Sequence, residues 1–182
     1  MGELAAVEPN LDDVLPHVAA LTAAYNDPAN AQMLGHTALL VQSDVMDHYE
    51  SLLGQGAHPF LLYCDGEFFG DGDIRGIRDG SAEFAFMIAS PSAQGKGLGT
   101  RFALMIHAYG FQHLSIIRMY ASIVPTNVAS RRVFEKLGYT LDASIPAREY
   151  ADDEGDIVMS ISGDAFQHRH SSAIANLRIA MR

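Results

Sequence analysis

The chain has 182 residues, a length typical of one domain, and its apolar fraction of 48% is enough to bury a core. It carries 22 acidic and 12 basic side chains, a formal net charge of −10, which argues against non-specific binding to nucleic acid or anionic lipid. The single cysteine, Cys64, excludes an internal disulfide and a cysteine-rich zinc site, and no apolar run is long enough to span a membrane. We therefore expect a soluble protein of the cytoplasm, with no metal and no nucleic-acid or membrane partner.

Two helices are predicted in the first third of the chain. Apolar residues recur at helical spacing over Leu11–Tyr25, and Asn10 is placed to cap that helix. A loop over residues 26–42 separates it from a second helix over Asp44–Leu53, with Ser43 as the expected cap.

The middle of the chain has the alternation and the turns of antiparallel strands. Phe60–Cys64 and Glu67–Ile77 flank the tight turn Asp65-Gly66. A third strand, Ser81–Ala89, follows the turn Asp79-Gly80.

Strands and helices alternate in the second half of the chain. The predicted elements are a helix over Gly99–His113, a strand over Ile117–Val124, a helix over Asn127–Leu137 stopped by Gly138, and short strands over Tyr139–Ala143 and Ile157–Ile161. This order predicts an α/β fold with a mixed sheet in one domain, residues 1–162. The remaining tail, residues 163–182, is either a helix docked on the body or a partner, or a loose segment.

A glycine-rich turn, residues 94–100, lies between the third strand and the long helix. Glycines at such a turn let successive backbone N–H groups face one anion, and the helix N-terminus adds a partial positive charge there. The turn is not a P-loop, because Gly97 follows Lys96 where Ser or Thr is needed, and Thr100 replaces the third glycine of a dinucleotide fingerprint. The turn taken alone therefore predicts either a phosphate cradle of another kind or a plain flexible glycine loop.

Two motifs stand in order along the second half of the chain. Gln94, Gly97 and Gly99 form a Gln-x-x-Gly-x-Gly pattern, and residues 127–139 run from Asn-x-x-Ser to Glu-Lys-Leu-Gly-Tyr. Together they resemble motifs of the GNAT superfamily of acyl-CoA-dependent N-acyltransferases, and the second is most similar to the branch that acetylates ribosomal-protein N-termini. The resemblance is clear over about residues 58–161.

This resemblance implies a mostly antiparallel central sheet with one splayed parallel strand pair, flanked by helices, that binds acetyl-CoA as co-substrate. The implied cofactor contacts on the exposed strand edge are Met87, Ile88 and Ala89. Those in the turn are Gln94, Gly95, Lys96, Gly97, Leu98, Gly99 and Thr100. Asn127 and Ser130 would face the distal arm and the sulfur, although Asn127 also fits a plain helix cap and Ser130 an exposed serine of the first turn.

The resemblance also implies the catalytic residues. Glu83 aligns with a catalytic glutamate of GNAT histone acetyltransferases and is a candidate base, although it fits a solvent-exposed glutamate or a partner of Arg75 or Arg78 equally well. The oxyanion donor would be a strand amide near Ile88. Many relatives carry a tyrosine at the position of Phe134, and because phenylalanine cannot donate a proton, Ser130 becomes the candidate donor to the leaving thiolate.

Two functions remain open at this point. The first is an N-acetyltransferase acting on a primary amine by direct attack, the acceptor being a protein N-terminus, a polyamine, an aminoglycoside or another small amine. The second, suggested by Phe134, is a non-catalytic acyl-CoA-binding sensor or assembly module. A monomer or a homodimer is compatible with either. His36 could reach an acceptor pocket, and a plain surface histidine is the simpler interpretation.

Charge is unevenly distributed along the chain. Residues 1–74 and 142–156 carry net charges of −12 and −5, whereas residues 75–141 carry +5. The basic segment contains the cofactor motifs, and in the family the acceptor site is built from the two acidic regions. The pattern predicts a cationic acceptor at an acidic mouth opposite a basic cofactor cleft, unless the acids are only a solvated surface.

Overall fold

The computed structural model describes residues 3–35, 37–89 and 93–178. The helices are α1 (Leu11–Val14), a 3-10 turn (Leu15–His17), α2 (Val18–Asn26), α3 (Pro28–Leu34), α4 (Gln42–Gly54), α5 (Leu98–His113), α6 (Val128–Leu137), α7 (Ile145–Arg148) and α8 (Gly163–Ile174). The strands are β1 (Leu4–Val7), β2 (His58–Cys64), β3 (Glu67–Arg78), β4 (Ser81–Ile88), β5 (Arg118–Ile123), β6 (Thr140–Leu141) and β7 (Ile157–Ser162).

The strands form one mixed sheet in the order β1-β2-β3-β4-β5-β7-β6. Every neighbouring pair is antiparallel except β4 and β5, which run parallel. The α/β class and the mostly antiparallel sheet with one parallel pair are therefore confirmed.

Helices cover both faces of this sheet, and the alternation of side chains along each strand supplies both cores. In β2, Phe60 and Leu62 belong to the core beneath α5, α6 and α8, whereas Leu61 packs with Val14 and Tyr49 of α1 and α4. The face beneath α1, α2 and α4 will be called the N-terminal face, and the face beneath α5, α6 and α8 the C-terminal face.

The first predicted helix is interrupted in the structure. Pro16 has no N–H to donate, and the chain passes through a 3-10 turn before α2 begins at Val18. Residues 26–42, predicted as loop, contain α3, because Asp27 ends α2 and its carboxylate then accepts hydrogen bonds from the N–H groups of Ala29 and Asn30.

The start of α4 also differs from the prediction. The helix begins at Gln42, so Ser43 lies inside it, and the prediction of Ser43 as the cap is wrong. Asp44 folds back and accepts a hydrogen bond from the N–H of Val41 at 2.7 Å, which satisfies a backbone donor before the first turn.

The segment after residue 162 is ordered as α8 and docks on the body. Phe166 is fully buried in the core of the C-terminal face, and the N–H of Gly163 donates to the carbonyl of Ile117 at 2.9 Å. Residues 179–182, the end of the predicted tail, and His36 lie outside the described residues. Among the helices that are described, none has the length and apolar character needed to cross a bilayer.

Candidate active site

The parallel strands β4 and β5 separate part-way along their length. They pair at three positions, from Ser81 opposite Arg118 to Glu83 opposite Tyr120. Beyond Glu83, β4 continues to Ile88 while pairing with β3 on its other side only, within the described residues. This leaves a gap between the two strands, lined on one side by the backbone of β4.

Backbone alternation decides which β4 residues reach that gap. The N–H of Ala89 donates to the carbonyl of Phe69 in the β3 direction at 2.8 Å. Because the direction alternates in an antiparallel pair, Met87 also turns its backbone to β3, and Ile88 turns its backbone to the gap. Of the three residues predicted on the strand edge, the backbone thus directs Ile88 at the gap, and not Met87 or Ala89.

The glycine turn next to this gap is shaped by backbone conformation. Gly95 and Gly97 have φ of 72° and 80°, which favour glycine, and a Cβ at either position would meet open space. Gly97 caps α5, so the N–H groups of Leu98, Gly99 and Thr100 start a 16-residue helix without acceptors in their own helix. The N-terminal end of α5 suits an anion such as the pyrophosphate of CoA, and the exposed Lys96 lies in the same turn.

The short helix α3 forms hydrogen bonds to both sequence motifs, the glycine-rich turn and residues 127–139. Gln94 donates from its side chain to Asn30 Oδ1 and to the carbonyl of Ile88, both at 3.0 Å. At the other end of α3, Asn127 Nδ2 donates to the carbonyl of Met33 at 3.0 Å. Asn127 also caps α6, accepting a hydrogen bond from the Ser130 N–H at 2.9 Å. Asn127 therefore does act as a helix cap, and the Gln94 side chain holds the glycine turn by its hydrogen bonds to α3 and β4.

Ser130 lies half-buried in the first turn of α6, and Phe134 lies one turn further into the core. Phe134 is 2% exposed and packs edge-on against Phe84, Phe86 and Tyr139. Tyr139 in turn hydrogen-bonds the buried ring of His107, and burial lowers the pKa of that histidine to about 3. A neutral aromatic core therefore packs against α6 at Phe134, and the Ser130 hydroxyl lies nearer the surface.

Glu83 lies on the opposite, N-terminal face of the sheet, in an ion pair. Arg75 Nε donates to Glu83 Oε2 and Arg75 Nη2 to Glu83 Oε1, both at 3.0 Å, and Nη2 also reaches Asp152 at 3.3 Å. Glu83 is 7% exposed. Burial raises the pKa of Glu83, and the attraction and hydrogen bonds of Arg75 oppose that rise. Pairing with Arg75, one of the open interpretations of Glu83, is what the structure contains.

Two further acids on this face were missed by the sequence reasoning. Asp71 and Asp73 of β3 are 5% and 8% exposed, and each has one oxygen, Oδ1, that is buried without a hydrogen-bond partner among the described residues. Asp71 Oδ2 accepts hydrogen bonds from Tyr25 at 2.7 Å and Tyr49 at 3.0 Å. The sequence did contain a signal for this cluster. Asp71, Asp73 and Arg75 are spaced two residues apart, which is the period of a strand, and so they share one face.

Burial has a large effect on the protonation of both aspartates. It raises the pKa of Asp71 to about 6 against the hydrogen bonds of the two tyrosines. It raises the pKa of Asp73 to about 7, opposed by Arg75 and assisted by the charge of Asp71. Each group therefore titrates near neutrality.

The two acidic segments of the chain meet at this cluster. Asp71 and Asp73 come from residues 1–74, and Asp152 comes from residues 142–156. The loop that carries Asp152 is held over β5 by Ser122, which accepts from the N–H of Asp152 at 3.0 Å and donates to Asp156 at 2.8 Å. No group of three or more His, Cys, Asp or Glu side chains could hold a metal ion in the described ranges.

Comparison with known proteins agrees with this geometry. Residues 11–140 match the family described as "Acetyltransferase (GNAT) domain". Spermidine N(1)-acetyltransferase of Escherichia coli strain K12 is 31% identical over 112 residues, which are 60% of this chain and 59% of that protein. The chain thus matches less than two thirds of this relative's length.

Solved structures share the fold at lower identity. Aminoglycoside acetyltransferase AAC(6')-Ib in complex with coenzyme A superposes with a TM-score of 0.76 at 19% identity, over 91% of this chain and 98% of that one. RimL, a ribosomal L7/L12 alpha-N-protein acetyltransferase in complex with coenzyme A, superposes with a TM-score of 0.70 at 20% identity, over 89% and 95%. The matched domain covers most of the chain and carries both motifs, so this chain belongs to the GNAT acetyltransferase family.

Proposed function

We propose that this protein is an acetyl-CoA-dependent N-acetyltransferase that acetylates a primary amine by direct attack in a ternary complex. The observation that carries the proposal is the gap between β4 and β5, which has the N-terminus of α5 beside it and buried carboxylates on the sheet face opposite α5 and α6. A donor and an acceptor bound on opposite faces would meet at such a gap.

The cofactor side is assigned to the turn, the strand edge and α6. The amides of Gly95–Thr100 would hold the pyrophosphate, with Lys96 adding a charge, and Ile88 would pair with the pantetheine arm through its backbone. When bound, acetyl-CoA supplies the activated acetyl group as a thioester. The Ile88 N–H is the candidate donor to the carbonyl oxygen, where negative charge develops. Ser130 is the candidate hydrogen-bond donor to the sulfur.

The acceptor is assigned to the N-terminal face, and we propose that it is cationic. Asp73, Glu83 and Asp152 lie 3.0–3.7 Å from the Arg75 guanidinium, and Asp71 acts on Asp73 from the same strand face, so the cluster has an excess of negative charge when its acids are ionised. The similar proteins are named for spermidine, aminoglycosides and a ribosomal protein as substrates, and the first two of these are polycations. Glu83 remains in the proposed site as a candidate base.

Two measurements test the function. Isothermal titration with acetyl-CoA should give a 1:1 complex, and a thiol-release assay over a panel of polyamines, aminoglycosides, N-terminal peptides and neutral amines should show turnover. Absence of binding at millimolar acetyl-CoA would refute the proposal. Binding without acceleration by any amine would favour the second candidate, a non-catalytic acyl-CoA-binding module, for which Phe134 is the motivating residue.

Three expectations from the sequence accompany this proposal. They are a cytoplasmic location, a monomeric or homodimeric state, and a single catalytic domain over residues 1–162 with an appended segment over 163–182. Because α8 buries Phe166 in the same core, we propose that the appended segment belongs to the folded unit.

A further inference from the structure

The two acids nearest Arg75 on the sheet differ in how their oxygens are used. Both oxygens of Glu83 accept hydrogen bonds from Arg75 at 3.0 Å. The guanidinium of Arg75 is 3.7 Å from Asp73 Oδ2, beyond hydrogen-bond range, and Asp73 Oδ1 is buried without a hydrogen-bond partner among the described residues. The guanidinium engages one lone pair on each Glu83 oxygen and stabilises the ionised carboxylate, so the pairing with Arg75 works against protonation of Glu83.

Asp73 also lies beside the part of β4 that leads to the gap. Its direct neighbour across the β3–β4 pair is Ala85, a half-buried residue whose side chain is a single methyl group. Met87 lies one step further along the same face, opposite Asp71. The unpartnered oxygen is therefore on the acceptor side of the strand that would hold the thioester.

From this geometry we infer that Asp73, and not Glu83, accepts the proton from the acceptor ammonium. In this step an O–H bond forms on Asp73 as one N–H bond of the ammonium breaks. The freed lone pair forms the amide C–N bond as the thioester C–S bond breaks, the second N–H proton passes to the leaving sulfur, and Asp73 returns its proton to solvent. The inference rests on the proposed function. It assigns Glu83 to holding Arg75 away from Asp73.

Within residues 3–35, 37–89 and 93–178, the charged or titratable groups that act on Asp73 from the surrounding elements are Asp71 and Arg75 on β3, Glu83 on β4, Asp152 on the loop before β7, Tyr25 on α2 and Tyr49 on α4. Their net effect with burial places the pKa of Asp73 at about 7, where a base serves well at neutral pH. Arg75 lowers this pKa and Asp71 raises it.

The first experiment compares kcat/KM of three variants on the best amine from the panel. Asp73→Asn should lower kcat/KM by about 100-fold or more. Glu83→Gln should also lower it, because Arg75 is released to pair with Asp73. The double variant Arg75→Gln/Glu83→Gln should restore kcat/KM to within about tenfold of wild type, since no guanidinium is then left to form a closer pair with Asp73. If instead the double variant is as inactive as Glu83→Gln while Asp73→Asn stays active, Glu83 is the base and the inference is wrong.

The second experiment uses the pH profile, which a structural role would not move. Asp71→Asn removes the neighbouring charge that raises the pKa of Asp73, so the acid limb of kcat/KM should shift to lower pH. An unshifted limb would contradict the inference even if Asp73→Asn fails to fold. Asp164→Asn, on exposed α8, is the control for loss of an acid and should match wild type. Wild-type protein that binds acetyl-CoA and acetylates no amine would overturn the proposed function itself, and this inference with it.

Discussion

The side chain of Gln94 donates a hydrogen bond to the side-chain oxygen of Asn30 at 3.0 Å, which ties α3 to the glycine turn. Asn30 is itself buried and donates to the carbonyl of Ala24 at the end of α2. The turn that should hold the cofactor phosphates is thus anchored to helices of the acceptor side. Changes in order of the acceptor-side helices should therefore affect the order of the glycine turn, and the reverse.

Gln94→Ala tests that anchoring. The substitution leaves Asn30 Oδ1 and the carbonyl of Ile88 without this donor, so we expect the free energy of unfolding to fall by about 1–2 kcal/mol. We also expect weaker acetyl-CoA binding by isothermal titration, because the turn becomes less ordered. Gln112→Ala, at an exposed position near the end of α5, is the matched control. Unchanged acetyl-CoA affinity in Gln94→Ala would show that the anchor is structural only.

Salt should weaken the binding of a cationic acceptor. A cationic amine drawn to Asp73, Asp152 and their neighbours should show a KM that rises several-fold between about 0.05 M and about 0.5 M salt, because the attraction is screened. A neutral amine of similar size is the control, and its KM should change little. An acceptor KM that is insensitive to salt, or a preference for neutral amines, would indicate that the acids are only a solvated surface.

The contribution of Asp71 and Asp73 to stability should fall as pH rises toward neutrality. Asp71 and Asp73 have folded-state pKa values of about 6 and 7, well above the ordinary value near 3.8. Between about pH 4 and pH 7 the folded chain therefore binds more protons than the unfolded chain, and each such group lowers the free energy of unfolding by up to about 1.4 kcal/mol per pH unit. Chemical denaturation at several pH values measures this slope. In Asp73→Asn the slope should be shallower, and an equal slope would contradict the raised pKa.

Ser130→Ala tests the hydroxyl at the start of α6. Losing one hydrogen bond to the leaving sulfur should lower kcat by about tenfold while leaving stability nearly unchanged, since the cap of α6 is made by the Ser130 N–H and not by its hydroxyl. Ser171→Ala on exposed α8 should behave as wild type. A kcat within error of wild type in Ser130→Ala would leave water as the donor to the sulfur.

Long elements with strong patterns were predictable from the sequence. The helix α6 begins after Asn127 and ends at Gly138, with φ of 102°, because both cap signals are local. Short elements were not. β1 is four residues with two alanines and is held by its pairing with β2, whereas α3 begins at Pro28, inside the segment predicted as a loop.

The site was predictable in its backbone parts and less so in its side chains. The turn follows from its glycines, which are a local signal, whereas the splayed pair was implied by the resemblance of the two motifs to the GNAT superfamily. The partner of Glu83 depended on a register between β3 and β4 that places Arg75 directly opposite it, and no local pattern fixes that register. Asp71 and Asp73 were overlooked because acids in a strand are normally solvent-facing, whereas here both are buried and two tyrosines from separate helices hydrogen-bond Asp71.

Two different structural constraints, backbone conformation and close packing, limit substitution of the glycines in the turn. Gly95 and Gly97 have space around them and are constrained by φ alone, so a residue that tolerates the left-handed region, such as asparagine, is the least costly replacement. Gly99 has no such φ constraint, but a Cβ there would lie 2.9 Å from the ring of Phe86. Natural drift or redesign could therefore change Gly95 or Gly97 one residue at a time, whereas a side chain at position 99 requires the Phe86 ring to move or a smaller residue at position 86.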